Sequence, residues 1–188
     1  MKKNISLAIT LLASLFVIGC VQVPQEQPQT KTKLAISSVR DIPVSYTQGS
    51  LFSLAPKYVK ETSLKPQQTQ AVYQLYADAI VSNLKANGFK NNSDSTAADF
   101  HVGFGIALAN DLSDQTISEE FGVTPGLPSS EGLEKGSFLI YIEDASTGQK
   151  VWRGAVQGFV HDELNKDQRE QRAADIVANV MKQFYATN

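Results

Sequence analysis

Beyond residue 33 the apolar residues recur with two different periods, and the places where the period changes divide the chain into elements. LAISSV, residues 34 to 39, reads as a short first strand. From about Gln67 to Asn87 the apolar residues return at helical spacing, with Val72, Tyr73, Tyr76, Ala79, Ile80 and Leu84 on one face. Pro66 stands just before this segment and Gly88 just after it, residue types favoured at a helix start and just past its end. From Asp99 the period falls to two: Phe100, Val102, Phe104, Ile106 and Leu108 alternate with His101, Gly103, Gly105, Ala107 and Ala109. A strand with one bulky and one small-residue face tolerates little bulk on its second side. SFLIYIED, residues 137 to 144, is apolar on both faces and predicts a central strand covered on both sides. Ser146-Thr147-Gly148-Gln149 is a turn, and residues 149 to 161 pair back as a hairpin.

A second helix follows from about Lys166 to Tyr185, opened by Asn165 as cap with Gln168 three residues on. Its Ala173, Ile176, Val177, Val180, Met181 and Phe184 form the buried stripe. The order of elements predicts an α+β fold, a two-layer α/β sandwich with a mainly antiparallel sheet and both helices on one face. Residues 34–188, about 155 in all, make one domain with a sizeable core.

The N-terminus has a different pattern. Lys2 and Lys3 precede an apolar run from Ile5 to Ile18, then Gly19 and Cys20, the layout of an export signal. That run is about 14 residues, short of the roughly 20 a spanning helix needs. Residues 21 to 33, VQVPQEQPQTKTK, bury too little apolar surface to offset their ordering entropy and predict a tether of up to about 40 Å. Three segments result: a leader over 1–19, Cys20 with a tether over 20–33, and the domain over 34–188.

Val17-Ile18-Gly19-Cys20 resembles the bacterial lipobox, in which the cysteine thiol takes a diacylglycerol and becomes the first residue of the mature chain. A thiol supplies thiolate near neutral pH where a hydroxyl does not. Cys20 is the sole cysteine, so acylation consumes it and leaves none for a disulfide, a metal or catalysis. Two or three acyl chains such as palmitate exceed the two-signal requirement for stable anchoring. The next residue is Val21, not an inner-membrane retention aspartate, which points to the periplasmic face of the outer membrane. Removing residues 1–19 takes two of the 17 basic residues and none of the 19 acids, leaving net charge −4. An acidic chain argues against nucleic acid as partner.

The segment from Gly136 to Val156, GSFLIYIEDASTGQKVWRGAV, is similar to the hallmark of the bacterial lipoprotein family catalogued as domain of unknown function 4136. The same family resembles this chain in its lipobox, a Gly88-Phe89 pair after the first helix, an Ala98-Asp99-Phe100 strand entry, and Val151-Trp152-Arg153-Gly154. Tyr141 stands here where the family often has an acid, and the first loop lacks the usual Asp-Phe-Ser lead. The resemblance implies fold and envelope location and brings no biochemical activity.

Chemistry-bearing residues are sparse. His161-Asp162-Glu163 are adjacent in sequence and do not converge on one ion, with no second His at helical spacing. Glu143 and Asp144, neighbours on a strand, point to opposite faces and cannot flank a substrate as paired carboxylates. His101 reads as structural. No catalytic residue, metal site or cofactor is expected. Trp152 and Arg153 alternate across one strand, which sends Trp152 into the core and Arg153 outward or onto an acid. Arg153, with Phe121 and Leu127 of the irregular loop Ile117–Gly136, is the candidate partner-binding set, since long loops and exposed Arg favour recognition. The expected protein is a monomeric lipoprotein acting without catalysis as an accessory or binding module for an envelope protein. The alternative from another class is a hydrolase of an envelope polymer.

Overall fold

The computed structural model describes residues 32–55 and 63–186. The leader, Cys20 and the tether up to residue 31 lie outside the described residues. The elements are β1 Leu34–Arg40, β2 Leu51–Leu54, α1 Pro66–Ala86, β3 Lys90–Asn91, β4 Phe100–Leu108, β5 Lys135–Asp144, β6 Lys150–Phe159 and α2 Lys166–Tyr185. A short helical segment over Asp114–Thr116 and Ile117–Phe121 lies in the connection from β4 to β5.

The six strands form one sheet in the order β1-β6-β5-β4-β2-β3. The first four in that order are antiparallel neighbours, whereas β2 runs parallel to both β4 and β3. The sheet is therefore mixed at one end, where the two short strands extend it. The fold is α+β, with both long helices packed against one face.

Local sequence explains the helix ends. Pro66 begins α1, and Gln68 Oε1 accepts from the Lys65 amide at 3.2 Å. At its exit Gly88 takes φ +90, its amide donates to Lys85 O, and the Phe89 amide donates to Leu84 O. This paired motif satisfies the last carbonyls and places Phe89 in the core. Asn165 and Gln168 exchange side-chain and backbone bonds at 3.0 Å to open α2.

The core lies between the helices and the even-numbered side chains of the central strands. Phe100, Val102 and Phe104 of β4 and Phe138, Ile140 and Ile142 of β5 meet Ile80 and Leu84 of α1 and Val177, Val180 and Phe184 of α2. Trp152 is 1% exposed, its ring 5.6 Å from that of Phe184, as the alternation of β6 predicted. Gly154 makes room for it: a Cβ there would fall 2.5 Å from the Trp152 ring and 2.7 Å from Val180. Tyr185 donates to Asn83 at 2.8 Å, joining the C-terminal ends of the two helices.

The other face of the sheet carries the small residues of β4. Gly103 pairs in register with Tyr141, and a Cβ on Gly103 would overlap that ring at 1.9 Å. The tyrosine in place of an acid at this position thus occupies the space over the glycine it faces. Lys150 Nζ lies 5.3 Å from the centre of the same ring. Next to them the β4–β5 connection folds back over Leu139 and Ala155, burying Ile117, Val123 and Leu127.

Candidate functional site

Two regions bear on function: the loop-covered sheet face, and a cleft between the N-terminal halves of the two helices.

The loop is fastened by polar contacts at both ends. Buried Lys135 donates from Nζ to both carboxylate oxygens of Asp114, at 2.6 and 2.8 Å, and to Leu127 O at 3.2 Å. Gln157, fully buried, donates to Asp114 at 2.6 Å and accepts from the Leu127 amide at 3.0 Å. The bond from Lys135 holds the Asp114 carboxyl below the usual carboxylate range, with Gln157 adding to the effect. At the other end Arg153 forks onto Asp41, at 2.8 Å from Nε and 2.5 Å from Nη2, and donates from Nη1 to Phe121 O. That pairing raises the Arg153 pKa further above its ordinary value. Gly122, at φ +64, leaves the space the guanidinium fills.

These contacts locate the three candidate recognition residues. Leu127 is 5% exposed and its backbone is held from both sides. Phe121 is half-buried against the cluster under the loop. Arg153 is half-buried and engaged with Asp41 and the loop backbone. The structure brings Arg153 and Phe121 together and puts Leu127 at the far end of the same loop.

Among the other residues weighed from sequence, His101 accepts or donates through Nδ1 to the Ser53 hydroxyl at 2.7 Å, between parallel strands. Glu143 stands opposite His101 in register, yet no bond joins them. Ser53 is buried. His161 Nδ1 lies 3.2 Å from Glu163. Asp144 accepts from Ser146 at 2.6 Å and from Thr147, which hold its carboxyl low while it organises the β5–β6 turn. Among the described residues no group of three or more His, Cys, Asp or Glu is placed to hold a metal.

The cleft has a volume of about 390 Å³, within the range of small-molecule sites. Its walls come from α1 (Val72, Leu75, Tyr76), the end of β4 (Ile106, Leu108), Phe138 of β5 and Ile176 of α2. Arg169 and Arg172 of α2 stand in the same lining. Arg172 donates to Phe159 O at 3.0 Å and Arg169 to Asp162 O at 3.3 Å, so each spends one N–H on a backbone carbonyl. Neither forms an ion pair among the described residues. Tyr76 stacks on Phe138 at 4.7 Å, and its hydroxyl has no hydrogen-bond partner among the described residues. Burial pushes that hydroxyl up to about 12, against the pull of the nearby Arg172 charge.

Sequence reasoning assigned Val72, Tyr76 and Ile176 to core stripes and passed over both arginines. The one available signal was two arginines in the first turns of a helix with buried residues close behind. A cleft built from four elements has no contiguous motif.

No curated protein matches the chain. Among solved structures, a DUF4136 family protein from Bacteroides thetaiotaomicron is similar at TM-score 0.55 and 15% identity, with 82% of this chain and 97% of that one covered. A PDZ domain protein from Parabacteroides distasonis reaches TM-score 0.50 at 9% identity, covering 81% of this chain and 36% of that one. The PelC dodecamer from Paraburkholderia phytofirmans is similar at TM-score 0.49 and 11% identity, over 79% of this chain and 95% of that one. At these identities the likeness concerns the fold. A family model spans residues 40–184, from the end of β1 through nearly all of α2, and the chain belongs to that family, the domain of unknown function DUF4136.

Proposed function

We propose that this chain is an outer-membrane lipoprotein, held by acylated Cys20, whose domain works in the periplasm as a monomeric, non-enzymatic accessory module that binds an envelope component. The observation that carries the binding role is the cleft of about 390 Å³, apolar along its walls with two arginines in its lining. Such a recess provides shape and charge for a ligand. The loop over the second sheet face is the weaker candidate surface, because Arg153 and Leu127 spend their polar groups on internal contacts.

The hydrolase alternative draws on Ser53 and His101. Their geometry favours a structural pair: the serine is buried, and among the described residues the imidazole has no bond to an orienting carboxylate. A photoreactive residue at Ala71, exposed in the cleft lining, tests the proposal in cells. Specific adducts from Ala71, absent from a probe at exposed Lys150 on the other face, support a cleft-binding module. Equal or no adducts from the two positions would remove the support, and loss of an envelope-degrading activity in His101→Ala would favour the hydrolase.

A further inference from the structure

The cleft has its charge at one side and its apolar surface along the rest. Arg169 and Arg172 each retain N–H groups not used on the backbone carbonyls they cap, and the Tyr76 hydroxyl has no hydrogen-bond partner among the described residues. The one carboxylate residue in the lining, Asp162, is exposed, as is Arg169, while Arg172 is half-buried, and among the described residues Asp162 forms no ion pair with either arginine. An apolar recess ending at two cations fits a molecule with one apolar tail and one anionic head. A neutral apolar ligand would offer no acceptor to the remaining N–H groups of half-buried Arg172, which costs binding.

The position of the cleft in the fold adds a second argument. Gly158, in its lining, pairs in register with Leu34, the first residue of β1. A Cβ on Gly158 would lie 2.8 Å from Leu34, 3.2 Å from Arg172 Nη2 and 3.8 Å from Lys33 O. The chain leading back to Cys20 thus departs beside Arg172. With acylation at Cys20 as proposed above, this is the end of the domain that follows the lipid anchor in sequence.

We infer that the cleft between α1 and α2 binds a long-chain fatty carboxylate, the head on Arg169 and Arg172 and the tail along Val72, Leu75, Ile106 and Phe138. The inference rests on the binding-module reading and names the ligand class for it. Tyr76 donates to the carboxylate, and the ring of Phe138 on which it stacks holds it there.

The test uses the non-acylated mature chain, residues 20–188 with Cys20→Ser, which keeps every described residue. Dansyl-labelled undecanoate is titrated onto it and displaced by dodecanoate or by dodecanol. Saturable one-site binding is expected, with dodecanoate at least tenfold more effective than dodecanol. Arg169→Gln/Arg172→Gln should erase that preference, Tyr76→Phe should weaken dodecanoate severalfold and leave dodecanol unchanged, and Ala71→Trp should block both competitors. Circular dichroism and melting confirm that each variant folds, and Ala71→Trp places its bulk on an exposed helix position. Absence of saturable binding by the folded wild-type chain, or equal displacement by acid and alcohol, overturns the inference. A preference that survives the double arginine substitution overturns it as well. Position-specific adducts from Ala71 to a protein, with no dodecanoate binding, would refute the fatty-carboxylate ligand and leave the binding-module reading standing.

Discussion

Truncating Trp152 to alanine tests the alternation of β6 and the packing of both layers at once. The indole is 1% exposed, its centre 5.6 Å from Phe184, and Gly154 on the same strand leaves the space it occupies. Alanine removes all of these contacts, and the neighbouring glycine has no side chain to fill the void. Buried Trp or Phe to Ala changes cost about 3–5 kcal/mol, a large part of the roughly 5–15 kcal/mol a domain has. At about 2–4 °C per kcal/mol for a chain of this size, melting should fall by roughly 6–20 °C. Urea titration followed by far-UV circular dichroism is the appropriate assay, because the substitution removes the only tryptophan in the chain. Arg153→Ala is the matched control one residue on, across the sheet. Its fork onto Asp41 is a surface-type pair, so the loss should be about 1 kcal/mol, above the roughly 0.5 kcal/mol of an unattached surface residue. A Trp152→Ala cost below about 1.5 kcal/mol, or one equal to that of Arg153→Ala, would refute the assignment of faces.

Asp114 makes loop closure pH-dependent: its folded-state pKa lies below the unfolded value of about 3.9, so its stabilisation is complete above roughly pH 5 and drains as pH falls through the folded value. Asp114→Asn should therefore destabilise the chain at pH 7 more than at pH 3, measured by urea titration at both; an equal loss would contradict this. Gly103→Ala should cost about 1–3 kcal/mol from overlap with the Tyr141 ring, and much less in a Tyr141→Ala background, a coupling that a double-mutant cycle reads directly. Leu127→Ser buries a hydroxyl and loses apolar contact, and should cost about 2–4 kcal/mol, more than Phe121→Ser at its half-buried site. Comparable losses for the two would mean that the loop is not anchored through Leu127.

The long segments were legible because burial follows their period, on one face of α2 and on both faces of β5. The stripe of α2, the alternation of β4 and the two-sided apolar run of β5 each appear in the structure within a residue or two of their expected positions. β2 and β3 were not legible: four and two residues are too short to establish a period, and their parallel pairing depends on distant partners. The same dependence hid the reason for Gly103. Its small size could be read from the chain, but the Tyr141 ring that requires it is known only from the strand register. Lys135 ran against expectation, since lysine is seldom buried unless paired, and its partner Asp114 lies 21 positions away in an irregular loop. The cleft arises only when α1, α2 and the strand ends come together. Its arginines looked like ordinary surface charge because the neighbours that make them a rim are supplied by other elements.

Anchoring is most directly tested by the intact mass of the protein extracted from the outer-membrane fraction of its host, compared between wild type and Cys20→Ser. The expected wild-type species begins at Cys20 and carries the added mass of two or three acyl chains, while Cys20→Ser retains residues 1–19 and gains no acyl mass. A wild-type chain with a free Cys20 thiol, or acyl mass that persists unchanged in Cys20→Ser, would contradict lipid anchoring at this residue.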